Sequence, residues 1–114
     1  MEKIVEQTLL YDFYGELLND HQKSIYEDVV FNDLSLSEVA DEYGISRQGV
    51  FDLIKRVNKT LSEYENKLHL VDKFISTKAK IHDIQKLSDD YIADKDISKI
   101  EAIQRIANDI IDNF

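Results

Sequence analysis

Apolar residues recur every three or four positions along almost the whole chain, with polar residues filling the gaps. That is the helical period, and it predicts helices from end to end. The first covers residues 2–18, with apolar positions at Ile4, Val5, Leu9, Leu10, Phe13, Tyr14, Leu17 and Leu18. Asn19, with Gln22 three residues on, has the spacing of a reciprocal N-cap. The helix it starts would bury Ile25, Tyr26, Val29 and Val30, and Asn32 and Asp33 would end it.

Residues 35–61 carry the sharpest pattern. Ser35 and Glu38 form a capping box ahead of a short helix whose apolar positions are Val39 and Ala40. Gly44 stands where a left-handed C-cap is wanted, and Ile45 is placed to plug the turn. Ser46 then caps a second helix with apolar positions at Val50, Leu53, Val57 and Leu61. Two helices joined in this way are a helix-turn-helix.

No stop signal follows Leu61. Val57, Leu61, Tyr64, Leu68, Val71 and Ile75 continue at spacings of four and three, the rhythm of a coiled-coil seam. Ser76 and Thr77 mark the first break. Another amphipathic helix follows through Ile81, Ile84, Leu87 and Tyr91, and the run DDYIADKD interrupts it. The last helix carries Ile97, Ile100, Ile103, Ile106, Ala107, Ile110, Ile111 and Phe114. The domain boundaries expected are therefore a helical domain over 1–76, containing the helix-turn-helix at 35–61, and a helical arm over 77–114. The seam and the last helix are stripes that pack either at home or on a partner. They predict a homodimer, with Leu61, Tyr64, Leu68, Val71, Ile75, Ile100, Ile103, Ile106 and Ile110 at the interface.

Composition agrees with an all-α chain. Proline is absent, and glycine occurs only at 15, 44 and 49. Absence of cysteine excludes disulfides, zinc thiolates and thiol nucleophiles. No signal-peptide pattern and no membrane-spanning apolar run is present, so a cytoplasmic protein is expected.

Charge changes the reading of the helix-turn-helix. The net charge of −9 is unevenly spread: residues 1–34 balance at −6, residues 35–61 at zero and residues 62–114 at −3. A dedicated DNA binder shows a basic footprint, because phosphate neutralisation supplies most of the affinity. Here only the second helix of the motif leans basic. Its candidate nucleic-acid-binding residues are Arg47, Gln48, Phe51, Lys55, Arg56 and Lys59. Arginine suits guanine, glutamine suits adenine and an aromatic ring can touch a thymine methyl. Asp52, in their midst, repels phosphate.

Other chemistry finds no support. Asp90, Asp94, Asp96 and Glu101 match four positions of a calcium loop, but Ile92 and Lys95 stand where a ligand and a glycine belong. The segment is better read as a turn with an aspartate capping the last helix. His21, His69 and His82 are scattered, without metal-ligand spacing. There is no phosphate loop and no nucleophile elbow, so no catalytic residue, metal or cofactor is expected.

Two resemblances follow from these motifs. Residues 36–61 look like the C-terminal helix-turn-helix of bacterial sigma factors. They depart from it at Gly49, Phe51 and Asp52, where sigma factors tend to place basic or polar side chains. The second covers most of the chain. YGELLNDHQ (14–22), ISRQGVFDLIKR (45–56) and YENKLHL (64–70) are similar to the YlxM family, small bacterial proteins associated with the signal recognition particle. The family's genes commonly neighbour that of the targeting GTPase Ffh. The resemblance implies a sigma-region-like helix-turn-helix core, an extended recognition helix and a C-terminal helical arm. It also implies a non-enzymatic accessory role in co-translational targeting, through a protein or RNA partner of that pathway. The alternative is a sequence-specific DNA-binding transcriptional regulator.

Overall fold

The computed structural model describes residues 2–114, and every regular element among them is helical. The chain divides into two compact units, one ending at His69 and the other Leu70–Phe114. The division lies upstream of the boundary at 76 that the pattern suggested.

In the first unit, α1 (Lys3–Tyr14) ends in a 3₁₀ turn, Gly15–Leu17. The turn shortens the helix expected to reach residue 18. Its tighter winding turns Leu17 outward and leaves Leu18 buried. Asn19 caps α2 (Asp20–Tyr26): its side chain accepts from the Gln22 N–H, and the Gln22 side chain accepts from the Asn19 N–H. The helix then widens into a π turn, Glu27–Phe31, closed by the Asn32 N–H on the Glu27 carbonyl at 2.9 Å. Ile25 and Tyr26, ahead of the wider turn, are fully buried; Val29 and Val30 within it are only half-buried.

The helix-turn-helix forms as its caps dictate. The capping box of Ser35 and Glu38 starts α3 (Leu36–Tyr43), and Gly44 ends it at φ 70°. The Gly44 and Ile45 N–H groups both donate to the Ala40 carbonyl. Backbone hydrogen bonds therefore close the turn; the Ile45 side chain, expected as a plug, is exposed. A β carbon on Gly44 would meet nothing within 4 Å, so a substitution there acts through the backbone alone. Gly44→Val is expected to lower stability by about 1–2 kcal/mol or more, because a β-branched residue is strained at positive φ. An unchanged thermal midpoint would show that the turn tolerates the strain.

Ser46 caps α4 (Arg47–Leu68), which buries Val50, Leu53, Val57 and Leu61 against α1, α2 and α3. Leu10, Tyr14, Leu18, Ile25, Tyr26, Val39 and Ala40 complete this core. Three polar ties fix α4 in place. Tyr26 Oη donates to Asn58 Oδ1 at 2.5 Å, Gln7 Nε2 donates to the same oxygen at 3.4 Å, and Tyr14 Oη donates to Glu65 Oε1 at 2.5 Å.

The expected seam does not continue as one helix. His69 takes the left-handed conformation at φ 56° and closes α4 with its N–H on the Glu65 carbonyl at 2.8 Å. Nor are the seam residues one open interface. Leu61 is fully buried in the first core and Val71 is 6% exposed, so neither side chain is available to a second chain. Tyr64 is half-buried, its ring 5.9 Å from that of Tyr14. Leu68 and Ile75 are exposed.

The second unit is a hairpin of α5 (Leu70–Asp94) and α6 (Ile97–Asn113). Helix α5 runs unbroken through Ser76 and Thr77, where a break was expected. Polar side chains at these two positions leave the helix intact, since serine and threonine cost only tenths of a kcal/mol there. Lys95, at φ 57°, makes the turn, and Asp96 caps α6 by accepting from the Ser98 N–H at 3.0 Å. Lys80 and Asp109 join the helices at 2.7 Å, and the lysine holds the Asp109 carboxyl below the usual carboxylate range. Ile100, Ile103, Ile106 and Ile110 are half-buried.

Candidate nucleic-acid interface

Helix α4 has one face committed to the core, through Val50, Leu53, Val57 and Leu61. Asn58 is tied down by Tyr26 and Gln7. The rest of the helix's first half is therefore held rigidly while remaining open to solvent. Arg47, Phe51, Lys55 and Lys59 follow one another at intervals of four, and all are exposed. Such a stripe is about 18 Å long and winds slowly around the helix. Phe51 is 46% exposed, so it is not part of the core. Lys55 Nζ lies 5.9 Å from the centre of the Phe51 ring, close enough for a cation–π contact. Among the described residues, none of Arg47, Lys55, Arg56 and Lys59 is held in an ion pair.

Two sequence candidates sit differently from the stripe. Gln48 Nε2 donates to Asp52 Oδ1 at 3.0 Å, so the carboxylate occupies the amide that would read adenine. Arg56, beside the stripe, lines one shallow hollow with Gly49, Asp52, Lys55 and Lys59, and another with Asn19, His21, Gln22, Lys59 and Glu63 at the start of α2. The Gln48–Asp52 contact was absent from the site as read in sequence. Its signal was there in the spacing of four, at which glutamine and aspartate meet on a helix surface.

Gly49 also acquires a reason. Its N–H donates to Ser46 Oγ at 2.9 Å, and a β carbon on it would lie 3.1 Å from that oxygen. A larger side chain at this position would crowd the cap.

The arrangement offers cations for phosphates and one exposed ring for a base or an apolar group. No helix among the described residues is long and apolar enough to cross a membrane.

Comparison with known proteins places this geometry in a family. The sequence model described as "Putative helix-turn-helix protein, YlxM / p13 like" matches residues 1–106. The chain belongs to the UPF0122 family. A UPF0122 protein of Lactococcus lactis subsp. cremoris (strain MG1363) is 40% identical over 108 residues, covering 93% of this chain and 94% of the relative. UPF0122 protein YlxM of Bacillus subtilis (strain 168) is 37% identical over 107 residues, covering 93% and 97%. UPF0122 protein TTE1463 of Caldanaerobacter subterraneus subsp. tengcongensis is 49% identical over a shorter stretch of 79 residues. The UPF0122 match includes the whole helix-turn-helix and ends within α6, ahead of Ile110, Ile111 and Phe114.

Proposed function

We propose that this UPF0122 protein is a non-enzymatic regulatory component of the signal recognition particle pathway that acts by binding RNA through α4. The observation that carries the reading is the single exposed stripe of Arg47, Phe51, Lys55 and Lys59. An aromatic ring interleaved with cations suits RNA whose bases are unpaired, because a ring stacks on any base while lysines and arginines follow the phosphates. Asp52, by engaging Gln48, weakens the case for reading duplex base edges. The pathway is inferred from the resemblance of residues 14–22, 45–56 and 64–70 to the YlxM family. With the rest of the chain acidic, affinity rests on a few contacts, which suits a reversible regulator.

A second reading, sequence-specific DNA binding as a transcriptional regulator, is favoured by one observation. Arg47 is the first residue of α4 and is exposed, and recognition helices reach base edges from that end.

Substitution separates the two. In a fluorescence-anisotropy titration with the RNA of the signal recognition particle, Phe51→Ala is expected to cost about 1–3 kcal/mol, the range for losing one stacked base. Lys55→Ala and Lys59→Ala should each weaken every RNA alike. In the DNA reading the largest loss falls instead on Arg47→Ala with duplex DNA, and base preference relaxes.

A further inference from the structure

We propose, on the reading that α4 binds RNA, that the open hollow between the starts of α3 and α4 holds one unpaired guanine of the strand. The hollow measures about 760 Å³, within the roughly 300–1,000 Å³ of small-ligand clefts. Leu36 and Ser37 line it from α3, and Arg47, Gln48 and Phe51 from α4. The two cap serines, Ser35 and Ser46, complete the lining, each with its hydroxyl oxygen accepting from a backbone N–H.

The apolar part of this lining suits the flat face of a base. A long side chain on a helix leans back over the turn before it, so the Phe51 ring is directed along α4 towards Arg47. Lys55, which lies over the ring, does not line the hollow. The exposed ring is therefore a stacking platform open to the hollow, and half-buried Leu36 adds an apolar contact from the other helix. A base inside a duplex has both faces stacked and cannot reach the ring, which restricts the site to single strands, loops and bulges.

The polar part chooses the base. Arg47 and Ser37 are exposed, and both can donate. Gln48 gives an amide hydrogen to Asp52 and is held by it. Among the described residues no carboxylate lines the hollow, so its one charged group is a donor. Guanine offers two acceptors side by side, O6 and N7, and arginine pairs with both. Adenine sets an amino group beside its N7, and the pyrimidines have no N7.

Fluorescence anisotropy of the full chain with short labelled RNAs tests this. The strands are oligouridine with guanine, adenine, cytosine or uracil at the centre. The guanine strand should bind about tenfold more tightly than the other three, within the range for one bidentate arginine contact. Replacing that guanine with 7-deazaguanine, which lacks the N7 acceptor, should remove most of the advantage. Hypoxanthine, which keeps O6 and N7, should retain it. Arg47→Lys keeps the charge but not the planar fork, and should abolish the preference for guanine. Ser37→Glu, which sets a carboxylate against those acceptors from an exposed position of α3, should do the same. Guanosine monophosphate should compete only at millimolar concentration, because the strand's other phosphates supply most of the affinity. Equal binding of the four strands would overturn the guanine site and leave RNA binding standing. So would a guanine preference that survives loss of N7 or Arg47→Lys. Competition by micromolar guanosine monophosphate would overturn it in favour of a free mononucleotide. Failure of all four strands to bind would overturn RNA binding by α4 itself, and the guanine site with it.

Discussion

Leu61→Ala is expected to destabilise the first unit by about 2–5 kcal/mol and to leave the mass of the protein in solution unchanged. Leu61 is fully buried in the core that α4 shares with α1, α2 and α3. Truncating it removes the transfer free energy of three carbons and leaves a cavity. A unit of this size holds only about 4–10 kcal/mol in total, so the change is large enough to unfold much of it at physiological temperature. Leu68→Ala, at an exposed position on the same helix, should stay within about 0.5 kcal/mol. Urea unfolding followed by circular dichroism gives the first quantity, and light scattering gives the mass. A fall in mass with little loss of stability would return Leu61 to a subunit seam.

The second large effect is alkaline. The Tyr26 ring is fully buried, and its hydroxyl donates to Asn58. Burial disfavours the phenolate and pushes the Tyr26 pKa up to about 12, a hydrogen bond with Gln7 offsetting part of the rise. Burial, with a hydrogen bond to Glu27, raises Tyr11 as well. A folded pKa above the unfolded value of 10 means that the stabilisation is complete below pH 10 and is lost as pH rises towards 12. For Tyr26 alone the loss is on the order of 3 kcal/mol across that window. Unfolding free energies at pH 8, 10 and 12 should fall in that order. Tyr26→Phe should flatten the dependence without abolishing it, because Tyr11 remains. Equal stability at pH 8 and 12 would mean that Tyr26 ionises as readily in the folded protein as in the unfolded chain.

The local devices of the fold were legible in the sequence because each is short. Asn19 with Gln22, Ser35 with Glu38, Gly44 and Ser46 all act within a few residues, and all sit where their chemistry placed them. The apolar face of α4 was equally plain, since Val50, Leu53, Val57 and Leu61 repeat at the helical period. The break at His69 was not legible. No glycine or proline marks it, and the apolar rhythm runs through LHLV without a fault, so periodicity alone favoured one long helix. The same continuity placed Leu61 and Val71 on an interface. A periodic pattern states which side of a helix is apolar but not which surface covers it.

The candidate interface was legible for a complementary reason: once the core positions of α4 are assigned, the cations at 47, 55 and 59 fall on what remains. The partners of α4 were beyond reach. Tyr14 meets Glu65, and Tyr26 meets Asn58, across long separations that no local spacing encodes.

The most direct test of the central claim is the salt dependence of RNA binding. The stripe and Arg56 supply four cations, and each phosphate neutralised on a single strand contributes about −0.7 to the slope of log K against log salt. The RNA of the signal recognition particle should bind with a slope between about −2 and −3. That slope should become shallower by about 0.7 with Lys55→Ala and again with Lys59→Ala. Random-sequence duplex DNA of equal length should bind more weakly at every salt concentration. Tight, sequence-selective binding of duplex DNA with a steep slope, and no measurable binding of that RNA, would contradict the account.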